Sequence, residues 1–322
     1  MLGGDGRLKK LCETNGVSGY ENNIAEYIKS FIENKCHGNV KVDSVGNVNF
    51  HGISNCEESK ILFIAHMDEV GFQIIKSIGE NKFTFKTLGN IKMWNANQQL
   101  VIFDNGEYGI IYSSNESNIH AHNYDNMYVE VLNKNTSINV GDVFTFYSKY
   151  IESEDSVYGK AIDNRVGCYC LLRVLENKNS FKHDTYVSFT TQEEVSMRGA
   201  RVVTSTIAPN IIVNVDVSPI GNNNSLKIGN GVGVKVSDSI GISDKFLVQR
   251  IIEIADLHDI KYQIEVSDCG TSELIISNEI DMGSRNIGLS IPCEHMHTSH
   301  TKIYKKDVEA CIKLLEHILN EL

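Results

Sequence analysis

Glu193 and Glu194 stand side by side in Thr190-Thr-Gln-Glu-Glu-Val-Ser-Met-Arg-Gly-Ala200, between an apolar run and the start of a predicted helix. Neighbouring carboxylates repel, and a chain keeps such a pair near its core mainly where a cation answers it; a divalent metal ion does so most economically. Other residues could share that ion. His66 closes the run Ile61-Leu-Phe-Ile-Ala65, Asp216 sits near the end of Ile211-Ile-Val-Asn-Val-Asp-Val217, and His295, His297 and His300 follow Arg285-Asn-Ile-Gly-Leu-Ser-Ile-Pro292. Asp163 lies where Ala161-Ile-Asp-Asn-Arg165 opens a helix. Taken singly, an acidic pair reads as a solvated turn, a histidine as a core residue and Asp163 as an N-cap. Taken together they share a pattern, since all but Asp163 follow a strand-like apolar run. Histidine and carboxylate without cysteine suit zinc or another first-row divalent ion. About five such ligands oversupply one ion and suit two, roughly 3.5–4 Å apart, sharing a bridging carboxylate. Spacing alone leaves open which of the three late histidines takes part.

The elements that must position these residues alternate between strands and helices. Runs at 61–65, 186–190, 211–217 and 285–291 read as strands, and the latter part of the chain predicts a mixed, largely parallel α/β sheet flanked by helices. On such a sheet the candidate residues fall at the C-terminal edge, where ligands bind. Ser18-Gly-Tyr-Glu21 matches a capping box and, with Ile24, Ile28, Phe31 and Ile32 at helical spacing, predicts a helix over 20–34. Val40 to Phe50 reads as two strands meeting at Gly46-Asn47, a structural assignment with no chemistry attached. Further helices are expected from Asp163, over 247–258 and from about Lys306.

Between Phe72 and Tyr150 the texture changes to short alternating runs separated by Gly, Asn and Asp, which predicts a small antiparallel β domain inserted into the main fold. The expected division is a catalytic α/β domain of residues 1–70 with 156–322, and an inserted β-barrel-like domain of 71–155. His120-Ala-His122 in the insert is a weaker metal candidate, without other ligands near it in sequence.

At 322 residues, 41% of them hydrophobic, the chain can bury a substantial core. Thirty Lys+Arg against 41 Asp+Glu give a net charge of -11, and without a basic run nucleic acid and anionic membrane are poor partners. The sequence holds no apolar stretch of membrane-spanning length and no signal-peptide core, so a cytoplasmic location is expected. Its 8 cysteines form no Cys-x-x-Cys pair, which predicts buried free thiols rather than a zinc ribbon or disulfide framework.

Ala65-His-Met-Asp-Glu-Val-Gly71, Ala161-Ile-Asp-Asn-Arg165, Thr191-Gln-Glu-Glu-Val195 with Arg198-Gly-Ala200, and Val215-Asp216 occur in the order and spacing of the tetrahedral, or glutamyl, aminopeptidases. The chain resembles this family over nearly its whole length, and relatives of the family are sometimes labelled endoglucanases. The resemblance implies that His66 and Asp216 hold one metal ion, that Glu194 and His297 hold the other, and that Asp163 bridges them. It also implies that Asp68 fixes the His66 tautomer and that Glu193 is the general base. The implied activity is removal of N-terminal residues from short peptides, with two divalent ions, zinc first and cobalt or manganese as alternatives. A homo-oligomer, as large as a dodecamer, is implied as well.

Two segments depart from the family's pattern. Gly270-Thr-Ser272-Glu273 stands where the family has Gly-Thr-Asp-Ala, and Glu294-His295 and His297-Thr-Ser-His300-Thr301 stand where it has Arg-Tyr and His-Ser-Pro-x-Glu. These changes predict an altered substrate preference with metal binding kept. Competing readings are a metal-binding homologue with an assembly or regulatory role, an amidohydrolase of non-peptide substrates, and a metal-independent glycosidase using two carboxylates.

Overall fold

A computed structural model of the chain describes residues 6–52, 54, 59–114, 126–221, 224–268, 270, 272–278 and 283–322. The chain lays down helices α1 (Arg7–Glu13) and α2 (Asn22–Lys35), then strands β1 (Gly38–Val42), β2 (Val48–Gly52) and β3 (Lys60–His66). It leaves the main body for β4 (Gly71–Gly79), β5 (Lys82–Leu88), α3 (Met93–Ala96), β6 (Leu100–Phe103), β7 (Tyr108–Ser113), β8 (Met127–Val131) and β9 (Val143–Phe146). It returns with β10 (Ile151–Glu152), β11 (Ser156–Gly159), α4 (Ile162–Glu176), β12 (Asp184–Thr190), α5 (Arg198–Ile207), β13 (Ile211–Pro219) and β14 (Val232–Ser237). The last elements are α6 (Lys245–Leu257), β15 (Tyr262–Val266), a 3-10 turn at Glu273–Asn278, β16 (Arg285–Glu294), β17 (Thr301–Tyr304) and α7 (Lys305–Glu321).

The large sheet is mixed, in the order β1-β2-β12-β3-β13-β16-β17-β11-β10, with β14 and β15 joined through β16. Its centre is parallel: β12 with β3, β3 with β13, and β13 with β16. Its flanks are antiparallel. Helices cover both faces, which is why the central strands read as unbroken apolar runs. On β3, Ile61, Phe63 and Ala65 enter the core shared with α1, α2, α4, α6 and α7, while Leu62 and Ile64 pack beneath α5 with Ala200, Val203 and Ile207. Strand period two therefore sends His66 to the α5 side of the sheet. On β13, Val213, Val215 and Val217 take the first face, so Asp216 lies on the same side as His66.

The insert closes into an antiparallel barrel, β4-β5-β8-β7-β6-β9. Its interior is aromatic: Phe72 stacks on Phe144 at 5.0 Å and meets Phe85 and Phe146 edge-on at 5.2 and 5.3 Å. A buried ionic knot joins barrel to sheet. Glu69 accepts from Lys160 Nζ at 2.7 and 2.8 Å, from Thr145 Oγ1 of β9 at 3.0 Å and from the Gly16 amide at 3.0 Å. Arg165 of α4 donates to the carbonyls of Met67, Leu11 and Thr14 beside it. Every charge in the knot has a partner, which is the condition for keeping it buried.

Two expectations change. Ser18 and Glu21 do not form a capping box: α2 starts at Asn22, and its N-cap, Glu21, makes no side-chain cap hydrogen bond. The Ser18 hydroxyl donates to Asp68 Oδ2 at 2.6 Å, while Glu21 Oε1 accepts the amides of Gly19 and Gln192 at 2.8 and 3.0 Å. A charged acceptor and a loop needing its amides filled outcompete the local cap. The turn at Gly46-Asn47 is more than structural, because Asn47 reaches the loop that carries Glu193. The described cysteines are free thiols, as expected. Cys56, Cys269, Thr271, His120 and His122 lie outside the described residues.

Candidate active site

Five elements deliver the site residues to the C-terminal edge of the parallel strands. β3 ends in His66, the loop after β12 carries Glu193 and Glu194, β13 carries Asp216, and Asp163 opens α4. The loop after β16 brings His297. All seven residues to which the resemblance gave roles, His66, Asp68, Asp163, Glu193, Glu194, Asp216 and His297, converge. His66 Nε2 lies 3.1 Å from Asp163 Oδ1, 3.7 Å from Asp216 Oδ1 and 3.9 Å from Glu193 Oε2. His297 Nε2 lies 3.1 Å from Asp163 Oδ2 and 3.2 Å from Glu194 Oε1. Asp163 thus stands between the two imidazoles, one oxygen toward each. His295 and His300 do not join this contact; they line the cavity, about 860 Å³ in volume, that opens over it.

Asp68 anchors the floor. Its Oδ1 lies 3.4 Å from His66 Nδ1, an ion-pair distance longer than a full hydrogen bond. The same carboxylate accepts the amides of Glu193 at 3.0 Å and Glu194 at 3.3 Å, so one buried acid orients both the imidazole and the acidic pair. Asn47 holds the loop from behind: its Oδ1 accepts the Thr191 amide at 2.9 Å and its Nδ2 donates to the Gly199 carbonyl at 3.0 Å. The barrel contributes too. His297 Nδ1 donates to the Asn90 carbonyl at 2.8 Å. A carbonyl only accepts, so this bond puts the proton on Nδ1 and turns the Nε2 lone pair toward Asp163 and Glu194. Gly89, at φ +87°, has no room for a side chain, because a Cβ there would stand 2.6 Å from Val70 Cγ1 and 3.2 Å from Glu194.

The backbone around the site is strained. Ala161, Gln192, Ser196, Met197, His295 and His297 all have φ between +53° and +97°. Each non-glycine residue held there costs on the order of 1–2 kcal/mol, so the surrounding structure must impose the conformation.

The site's electrostatics follow from burying like charges together. Burial opposes a charged His66, yet Glu193, Asp163, Asp216 and Asp68 together hold its pKa well above the ordinary value. Burial likewise opposes charge on His297, and Glu194 and Asp163 raise it well above the ordinary value. Burial pushes Glu193 far up, and the neighbouring Glu194 and Asp216 add to it despite the pull of His66. Glu194 and Asp216 are raised by burial as well. Asp163 and Asp68 are lowered despite burial: the two imidazoles act on Asp163, and His66, the Ser18 hydroxyl and the Glu193 amide on Asp68. The raised carboxyls Glu193, Glu194 and Asp216 crowd one another while both imidazoles are drawn toward their charged form, so the cluster concentrates negative charge that a cation would stabilise. His66 Nδ1 and Glu194 Oε1 are buried without a hydrogen-bond partner. Ligand atoms of His66, Asp163 and Glu194 come within 4.8 Å of one another. Two imidazoles, four carboxylates and orphaned polar atoms form a donor set that fits divalent metal.

The family profile described as M42 glutamyl aminopeptidase matches residues 46–314. The chain belongs to the M42 glutamyl aminopeptidase family. Membership makes it an aminopeptidase-class hydrolase. A putative aminopeptidase of Acetivibrio thermocellus is 29% identical over 320 residues, covering 96% of each chain. The TET aminopeptidase of a marine-sediment thaumarchaeon superposes with a TM-score of 0.92 at 25% identity, covering 98% of this chain and 95% of that one. The TET1 peptidase of Pyrococcus horikoshii, described as assembling into a tetrahedron or a large octahedral shell, gives a TM-score of 0.88 at 24% identity over 98% and 99% of the two chains. The M42 chain described here shares the mixed sheet, the flanking helices and the separate small barrel with these structures.

Several residues that shape this M42 site were not singled out as functional by sequence. Ser18, Glu21, Asn47 and Asn90 act through other residues, and short polar residues in loops give no periodic signal. Glu273 is the most unusual. It is buried and accepts from Thr190 Oγ1 at 2.6 Å, leaving Oε2 without a partner. Burial raises its pKa to about 8. Ser272, beside it, donates to Asp238 Oδ2 at 2.7 Å.

Proposed function

We propose that the chain is a metal-dependent aminopeptidase that removes N-terminal residues from short peptides. The observation that carries this reading is the convergence of His66, Asp163, Glu193, Glu194, Asp216 and His297 on one buried edge beneath an open cavity. His66 and Asp216 would hold one divalent ion, Glu194 and His297 a second, and Asp163 would bridge them. Zinc is the first expectation, with cobalt or manganese as alternatives. Bound there, the ions supply Lewis acidity, lowering the pKa of a water and polarising the scissile carbonyl.

The chain's own residues supply the rest. Asp68 would keep His66 oriented with Nε2 toward the centre, and its grip on the two loop amides would fix the separation of Glu193 from Glu194. Glu193 would accept the proton of the attacking water and return it to the departing amine, a role that needs a carboxylate poised close to neutrality. Asn90 would hold His297 with Nε2 free to ligate. Substrate enters the cavity whose wall carries Trp94 and Lys92 from the barrel side and Lys235 from β14.

In this reading residues 1–70 with 156–322 form the catalytic unit and residues 71–155 form a unit that roofs it. Among the described residues no helix is long and apolar enough to cross a membrane. A cytoplasmic location and a homo-oligomer are part of the proposal, the latter supported by the assemblies named for related solved structures. Chelation followed by readdition of zinc, cobalt or manganese, read on a panel of aminoacyl substrates, tests it. Activity that disappears with the metal and returns with it is expected; turnover indifferent to chelation rejects the reading.

A further inference from the structure

The described residues contain a second cluster of metal-binding side chains, and it takes no part in the site described above. His258 caps the C-terminus of α6, while His317 and Glu321 lie four residues apart on α7 and therefore share one helix face. His258 Nε2 lies 2.6 Å from Glu321 Oε1, and His317 Nδ1 lies 3.2 Å from the same oxygen. The two rings stack with centroids 3.5 Å apart and planes inclined by 19°. Arg250, also on α6, sits 3.9 Å from the other carboxylate oxygen and donates to the Glu321 carbonyl at 3.1 Å, leaving Oε1 to the rings. The three side chains are 29%, 33% and 23% exposed, enough for an ion to enter and little enough to hold them in place. None of them lines the cavity over His66 and Glu193.

We infer that His258, His317 and Glu321 bind one further zinc-class divalent ion that clamps α6 to α7. Three ligand atoms from two helices, all within 4.8 Å of one another, give a two-imidazole, one-carboxylate set. That set suits zinc, nickel or cobalt and leaves a coordination position for water. Around a tetrahedral ion with bonds of about 2.0–2.1 Å, neighbouring ligand atoms stand roughly 3.3 Å apart, near the 2.6 and 3.2 Å contacts seen here, and binding would require the stacked rings to turn out of parallel so that their in-plane lone pairs converge. The clamp lies at the final turn of α7, where a helix would otherwise fray, and ties that turn to the end of α6. It requires nothing of the active site, so it stands or falls apart from the aminopeptidase reading.

The test uses the intact protein with its active site already metal-loaded, titrated with Zn2+ alone and followed by calorimetry and elemental analysis. Wild type should take up one additional ion per chain and melt at a higher temperature. His317→Ala and His258→Gln should each lose that ion and the zinc-dependent rise in melting temperature while keeping wild-type turnover. The second variant preserves bulk at the helix end, so loss of uptake in both cannot be assigned to a collapsed α6. Wild type that takes up no additional ion, or variants that take it up as wild type does, would overturn the inference.

Discussion

The barrel and the C-terminal edge of the large sheet are built from opposite materials. The barrel encloses Phe72, Phe85, Phe103, Phe144 and Phe146, all essentially inaccessible, and among the described residues its interior carries no charge. The sheet edge encloses His66, Asp68, Asp163 and Asp216 at 8% exposure or less, with strained backbone around them. One region gains stability from apolar contact, whereas the other spends it to hold like charges together. The difference separates their parts: the barrel side supplies the Asn90 carbonyl that holds His297, while the edge gathers the histidines and carboxylates.

The largest effect that separates the two regions is expected in the barrel. Phe144→Ala removes a ring in contact with Phe72, Phe85 and Phe103 and should destabilise the protein by about 3–5 kcal/mol. Metal affinity measured well below the transition should be unchanged, so a large loss of affinity would show that the regions are not separable in this way. Asp68→Asn is the mirror experiment. It keeps the shape but removes the charge beside His66 Nδ1, and metal affinity should fall about 10–100-fold. Denaturant unfolding of the metal-free protein should move far less than in the barrel variant, and a comparable drop would place Asp68 among the structural residues.

A third effect concerns pH. Burial raises Glu273 from an ordinary 4.5 to about 8. Between those values the folded chain keeps a proton that the unfolded chain has lost, so stability must fall as pH rises through the window, by up to about tenfold in the folding constant per pH unit. Metal-free Glu273→Gln should show a shallower slope than wild type when unfolding is compared at pH 5 and pH 8, the remainder coming from the other buried carboxyls. An unchanged slope would assign the dependence to other groups.

Much of this architecture was legible in the sequence because it rests on periodicity. The runs at 61–65, 186–190, 211–217 and 285–291 became β3, β12, β13 and β16, and their apolar continuity reflected helices on both faces. The insert declared itself through alternation and became the barrel. Among the late histidines spacing could not choose; only His297 reaches Asp163 and Glu194. Ser18 and Glu21 misled because a capping box is a local pattern, whereas Asp68 and the Gln192 amide, which won those side chains, are distant in sequence. Strands β14 and β15 went unread, and so did the Glu69–Lys160 knot, since nothing local marks two charges as partners 91 residues apart.

The central claim is that the adjacent acids Glu193 and Glu194 have different jobs. Elemental analysis of wild type, Glu193→Gln and Glu194→Gln, with turnover measured on the same samples, tests it most directly. Wild type and Glu193→Gln should carry the same two active-site ions per chain, with turnover in the latter reduced by about 10²–10⁴. Glu194→Gln should carry fewer ions. Equal metal content in both variants, or metal lost from Glu193→Gln with turnover retained by Glu194→Gln, would contradict it.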